Sequence, residues 1–193
     1  MNYIFLKKLN RYSLSAAFFL LLIISGCIFA PTHKVSTFDL GIPKTIAPQG
    51  IRLYVMPFMN NTETAYQMLY RTGKYQVEKD PYNRWAKTPG ILVTSYLRDA
   101  FKCDSSEETD YTLSGEVTLF EINLKKRYTL FSVNFQIKHK SKYILEKEST
   151  YKQVFDEPSP AHSAEAMSKS AATLAEDIKA ELIKSKVKKT ITD

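Results

Sequence analysis

Cysteine is scarce in this 193-residue chain: there are two, Cys27 and Cys103. That excludes a disulfide framework if Cys27 is used for anything else, because Cys103 would then have no partner. The three histidines, His33, His139 and His162, lack ligand spacing with one another or with Cys103, so no metal site is expected. Glycine is sparse too. The six present form no phosphate loop, dinucleotide fingerprint or nucleophile elbow. Paired acids such as Glu107 and Glu108 sit in a polar stretch, where solvation is the default. No catalytic residue and no cofactor is expected, and the chain does not read as an enzyme. No apolar run approaches the ~20 residues of a spanning helix. The formal charge of +7 is mild once Lys7, Lys8 and Arg11 are set aside, which gives no ground for nucleic-acid binding.

What the chain does have begins at its start. Those three basic residues precede an apolar run of roughly 11 residues ending at Ile24, followed by Ser25, Gly26 and Cys27. A basic region, a short apolar region and small residues, in that order, describe a secretory signal over residues 1–26. Ile24-Ser25-Gly26-Cys27 also resembles the bacterial lipobox. That resemblance implies a Cys27 thiol carrying diacylglycerol, cleavage before it and acylation of the freed amine. A thiolate is the nucleophile that such lipidation needs. Three acyl chains, at ~0.8 kcal/mol per buried methylene, would hold the protein to a membrane almost permanently. The residue after the cysteine is Ile28 rather than the Asp that retains lipoproteins at the inner membrane in enterobacteria-like sorting. Outer-membrane attachment facing the periplasm is therefore expected.

Residues 27–49 carry Pro31, Pro43 and Pro48 without sustained periodicity and read as a flexible tether, with a short edge strand conceivable around Thr37–Leu40. Extended, it would reach ~70 Å. A domain over residues 50–184 follows, then a basic, frayed tail over 185–193. Residues 51–58 alternate as a strand ended by Pro57, and Thr72-Gly73 reads as a hairpin turn. Thr88 and Pro89 open a helix to about Phe101, with Leu92, Tyr96 and Ala100 on one stripe. Cys103, just beyond, reads as a half-buried structural thiol. Three long strands are expected over 111–123, 128–139 and 143–155. In the first, the apolar residues change face at Phe120, which predicts a bulge or a second covered side. In the second, Phe131, Val133, Phe135 and Ile137 point in while Ser132, Asn134, Gln136 and Lys138 point out. Ser159 and Pro160 start a final helix, on which Ala164, Met167, Ala171, Leu174, Ile178 and Leu182 recur at helical spacing.

Several blocks occur in a telling order behind the lipobox. Phe38-x-Leu40 comes first, then a strand ending in Pro57, then Arg84-Trp85-Ala86 with Pro89 opening a helix. Tyr111-x-Leu113-x-Gly115, Phe120-Glu121, Glu157-Pro158 and an Ala/Ser-rich helix follow. Over residues 36–183 this resembles the auxiliary lipoprotein family of ABC-type transporters, which includes the lipoprotein of the paraquat-inducible lipid-transport system. The resemblance implies an α+β fold: a mixed, mainly antiparallel sheet packed by two helices, similar to the N-terminal domain of TolB, the β-propeller protein of the Tol system. It implies a non-catalytic role beside an MCE-domain protein and an ABC permease and ATPase that move lipid between the envelope membranes. A second copy of the chain is a further candidate partner. Cys103 and the lysine-rich turns depart from the family pattern. An envelope assembly or structural lipoprotein supporting an outer-membrane complex stays open as the alternative.

The candidate partner-binding residues are Arg84 and Trp85, and the Lys125-Lys126-Arg127 turn. Against them stand plainer readings: a core Trp85 beside a helix start, and a solvated hairpin turn.

Overall fold

The computed structural model describes residues 33–103, 109–140 and 142–192. The lipobox with Cys27, most of the acidic stretch after Cys103 and Ser141 lie outside them. The chain divides into Met1–Lys34 and a compact unit, Val35–Asp193, which holds all the strands and helices of the described residues.

One sheet of eight strands forms its frame: β1 (Ser36–Phe38), β2 (Leu53–Val55), β3 (Met59–Asn60), β4 (Gln67–Arg71), β5 (Val77–Trp85), β6 (Tyr111–Asn123), β7 (Tyr128–His139) and β8 (Lys142–Val154). The order is β1-β5-β4-β6-β7-β8. Along one edge of β6 three short strands follow one another, all parallel to it: β2 against Tyr111–Leu113, β3 against Glu116–Val117, and β4 at Ile122. The other edge of β6 meets β7, and β7 meets β8, in long antiparallel ladders. Two helices, α1 (Pro89–Phe101) and α2 (Pro160–Thr192), cover one face. α1 packs on β2, β3 and β6; α2 packs on β7 and β8 and touches α1. The α+β expectation holds.

The core follows from the two periodicities. Phe131, Val133, Phe135 and Ile137 of β7 are fully buried under α2, whose Met167, Leu174, Ile178 and Leu182 face them. Burying a large apolar side chain stabilises by about 1.5–3 kcal/mol, so these two rows are a substantial part of the apolar gain. The bulge falls in β6 between Val117 and Leu119. It turns Leu119 outward against Ser132 and lets Phe120 join the buried row opposite Phe131. That is why the apolar residues change parity at Phe120.

Both helices start, and α1 also ends, where the sequence places them, with one chemical difference at the caps. Ser159 Oγ accepts from the His162 N–H at 3.2 Å, a side-chain cap on α2. Thr88 is the N-cap of α1 but makes no side-chain cap bond. α1 ends in left-handed Lys102 (φ 54°), whose following N–H, on Cys103, donates to Arg98 O at 3.0 Å. Cys103 is partly buried against the core, as expected.

Three expectations need correction. The tether does not extend to residue 49. β1 pairs with β5, Leu40 is buried, and Ile46 N–H donates to Ala100 O at 2.8 Å. The prolines remove periodicity without preventing isolated side chains from docking, so the segment reads as a linker and packs as part of the body. The stretch 51–58 is shorter as a strand than its alternation suggests, and pairing resumes beyond Pro57 at Met59. At the other end, α2 runs on to Thr192 rather than fraying from 185.

Candidate partner-binding surface

Arg84 and Trp85 close β5 beside β1: Thr37 is opposite Arg84 and Phe38 opposite Trp85. Alternation sends their side chains to opposite faces. Trp85 is only 1% exposed, edge-on to Phe120 with ring centroids 5.0 Å apart. Its ring is core and gives no surface to a partner; among the described residues its indole N–H has no hydrogen-bond partner. Arg84 is exposed.

The Lys125-Lys126-Arg127 turn joins β6 to β7, with all three side chains exposed. Asn123 Oδ1 accepts from the Lys126 N–H at 2.8 Å, and Arg127 takes a left-handed conformation (φ 53°). Arg127 is partly committed, since its Nη1 donates to Asp156 O at 2.8 Å. The turn does not meet Arg84. It lies by the β4–β5 turn, while Arg84 pairs with Gln67 at the other end of β4, four residues from Arg71, the partner of Val77, or about 13 Å at the usual rise per residue. The two candidate clusters are therefore separate patches.

The apolar residues Phe58, Trp85, Leu113 and Phe120 of the motif blocks are buried in the core. A Cβ at Gly115 would collide with Asn134 O and the Phe58 ring, and one at Gly90 would lie 2.5 Å from Phe58 O. Phe58, directly after Pro57, is thus wedged between the start of α1 and the middle of β6. Its N–H donates to Thr94 Oγ1 at 2.8 Å. Trp85, Phe120 and Phe131 stack edge-on in sequence. Phe58, Trp85, Leu113 and Phe120, from four parts of the chain, thus belong to one hydrophobic core.

Two polar arrangements accompany it. Arg71 grips Glu121 with two bonds, Nε to Oε2 at 2.6 Å and Nη2 to Oε1 at 2.7 Å, and the Glu121 side chain is only 6% exposed. The hydrogen bond to Glu121 raises the Arg71 pKa further above its usual value. A glutamate between Phe120 and Ile122 was the available signal for a buried, paired charge; its partner 50 residues away was not visible. Asp80 accepts from the N–H groups of Tyr82 (2.7 Å) and Asn83 (2.9 Å) and from Asn83 Nδ2 (2.7 Å). Burial opposes its charge, but these bonds outweigh it and hold the carboxyl below its usual range.

A groove of about 690 Å³ opens on the helix-free face. Met56 and Met59, both exposed, form one side, Asn134 lies on the floor, and Glu116, Glu146 and Glu148 supply three carboxylates. Among the described residues no group of three His, Cys, Asp or Glu is placed to hold a metal ion. No helix of the described residues is long and apolar enough to cross a membrane.

No protein-family model and no curated protein matches this sequence. Solved structures do. A Xanthomonas campestris protein of the family DUF330 superposes with a TM-score of 0.64 at 14% identity, covering 80% of this chain and 99% of its own. A second, uncharacterized protein superposes at 0.62 with 15% identity, covering 77% of this chain and 99% of its own. A candidate lipoprotein of Caulobacter crescentus, at 16% identity, covers 67% of this chain and 91% of its own with a TM-score of 0.41, too low to argue from. The chain therefore shares the fold of a DUF330 protein almost from end to end of that protein.

Proposed function

We propose that this protein is an envelope lipoprotein, anchored through Cys27 to the outer membrane and facing the periplasm. There it serves as a non-catalytic auxiliary component of an ABC/MCE-type lipid-transport system. The observation that carries the reading is the order of blocks behind the lipobox, which resembles the transporter-associated lipoprotein family. Supporting it, apolar residues of those blocks, Phe58, Trp85, Leu113 and Phe120, share one core, as expected of a family's common framework. A body that already begins at Val35 leaves residues 27–34 as leader, at most about 28 Å extended. The domain would then work close to its membrane, not ~70 Å away.

Crosslinking in native membranes followed by pull-down tests the transport reading. Recovery of an MCE-domain protein, permease or ATPase is the expected result; a β-barrel partner alone would overturn it in favour of an assembly role. The anchor is tested separately: Cys27→Ala should accumulate as unprocessed precursor, and normal maturation of that variant would refute lipidation.

A further inference from the structure

Among the described residues β8 is the outermost strand of its side of the sheet and pairs only with β7. Phe155 N–H donates to Arg127 O at 3.0 Å, just beyond the Tyr128–Val154 pair. Hydrogen-bonded and non-bonded pairs alternate along an antiparallel ladder, so the odd-numbered residues from 145 to 155 direct their backbone groups to β7. The even-numbered residues Glu146, Glu148, Thr150 and Lys152 therefore aim N–H and C=O at the free edge, and their side chains are exposed on the helix-free face. A long strand with one unpaired backbone row is a template for another strand.

The charges along that edge select the partner. In a two-fold antiparallel join centred on Ser149, Glu146 stands opposite Lys152, Glu148 opposite Thr150, Lys147 opposite Tyr151 and Leu145 opposite Gln153. No like charges meet. Centring on Glu148 or on Lys147 would set that residue against itself, which is destabilising. Centring on Thr150 would set Glu146 against the apolar Val154. Beyond Leu145 the β7–β8 register shifts, which bounds the join at that end.

We infer that β8 is a homodimer surface, joining a second copy antiparallel about Ser149. The join forms on the order of eight backbone hydrogen bonds, makes two Glu146–Lys152 pairs and extends the sheet across both molecules. It stands apart from the transport reading and does not depend on it.

The test uses the full-length protein in detergent with Cys103→Ser as background. Directly opposed residues of a non-hydrogen-bonded pair have Cα atoms about 4.5 Å apart, within disulfide reach. Ser149→Cys should give an oxidised dimer absent from the background, and Thr150→Cys should not. Glu146→Lys and Lys152→Glu should each weaken dimerisation about tenfold, and the double reversal should restore it. A monomer at every concentration, a dimer indifferent to both reversals, or crosslinking through Thr150→Cys in place of Ser149→Cys would overturn the proposal.

Discussion

The two faces of β7 come from the same twelve residues and do opposite work. One face carries Phe131, Val133, Phe135 and Ile137, all fully buried beneath α2. The other carries a ladder of polar groups. Ser132 meets Thr150 at 2.8 Å, Asn134 Nδ2 reaches Glu116 at 3.0 Å, and Gln136 Nε2 reaches Glu146 at 3.3 Å. The contrast teaches where stability resides. On the covered face each side chain is surrounded by atoms it cannot replace; on the other face, at half-buried Gln136, water can take the place of a lost partner. The polar face is therefore free to change with the partner, while the apolar face is fixed by packing.

That contrast can be broken most severely at Trp85. Trp85→Ala should cost about 4 kcal/mol of stability, read by chemical denaturation, because it opens a cavity against Phe120. A loss under about 1 kcal/mol would show that the ring is not the anchor its burial indicates. Gly115→Val tests overpacking of the same core. Its side chain would displace the Phe58 ring and meet the β7 backbone, costing about 3 kcal/mol.

Glu121 sharpens the comparison, since it is a buried charge among apolar residues. Glu121→Ala leaves Arg71 unpaired and should cost about 2 kcal/mol, whereas removing both side chains should cost less than the sum of the two single changes. A double-mutant cycle measures this directly. Asp80→Asn should cost about 1 kcal/mol at neutral pH. Its sign with pH follows from a folded pKa held below the unfolded value. The contribution is complete well above the unfolded carboxyl pKa and fades as pH falls through the lower folded pKa, so the gap between variant and wild type should narrow in acid. A gap that instead widens in acid would reverse the assignment. The smallest effect belongs to the open face: Gln136→Ser should move stability by less than about 0.5 kcal/mol.

Much of the covered face was legible in the sequence because its physics is local. The 3.6-residue recurrence from Ala164 to Leu182 and the strict alternation in β7 needed no partner to be read. Pro89 and Ser159-Pro160 marked helix starts through restrictions on their own backbone, and the parity change at Phe120 marked the bulge. The candidate site was less legible. Arg84 and Trp85 are neighbours in sequence, yet strand alternation sends one to solvent and the other to the core. Phe120, which meets the Trp85 ring edge-on, lies far along the chain, and no local pattern names it.

By itself, then, the sequence determined the two helix starts, the long strands with their faces, and the signal-like pattern that ends at Cys27, since each rests on interactions within a few residues. Only the tertiary structure decided the rest. It drew Leu40 and Ile46 out of an apparent linker, set three short parallel strands along β6, paired Arg71 with Glu121, wedged Phe58 against Gly90 and Gly115, and left β8 as an open edge. Those outcomes depend on which distant segments can be brought together without steric conflict or an unpaired buried charge. That is a property of the whole packed chain, not of any stretch of it.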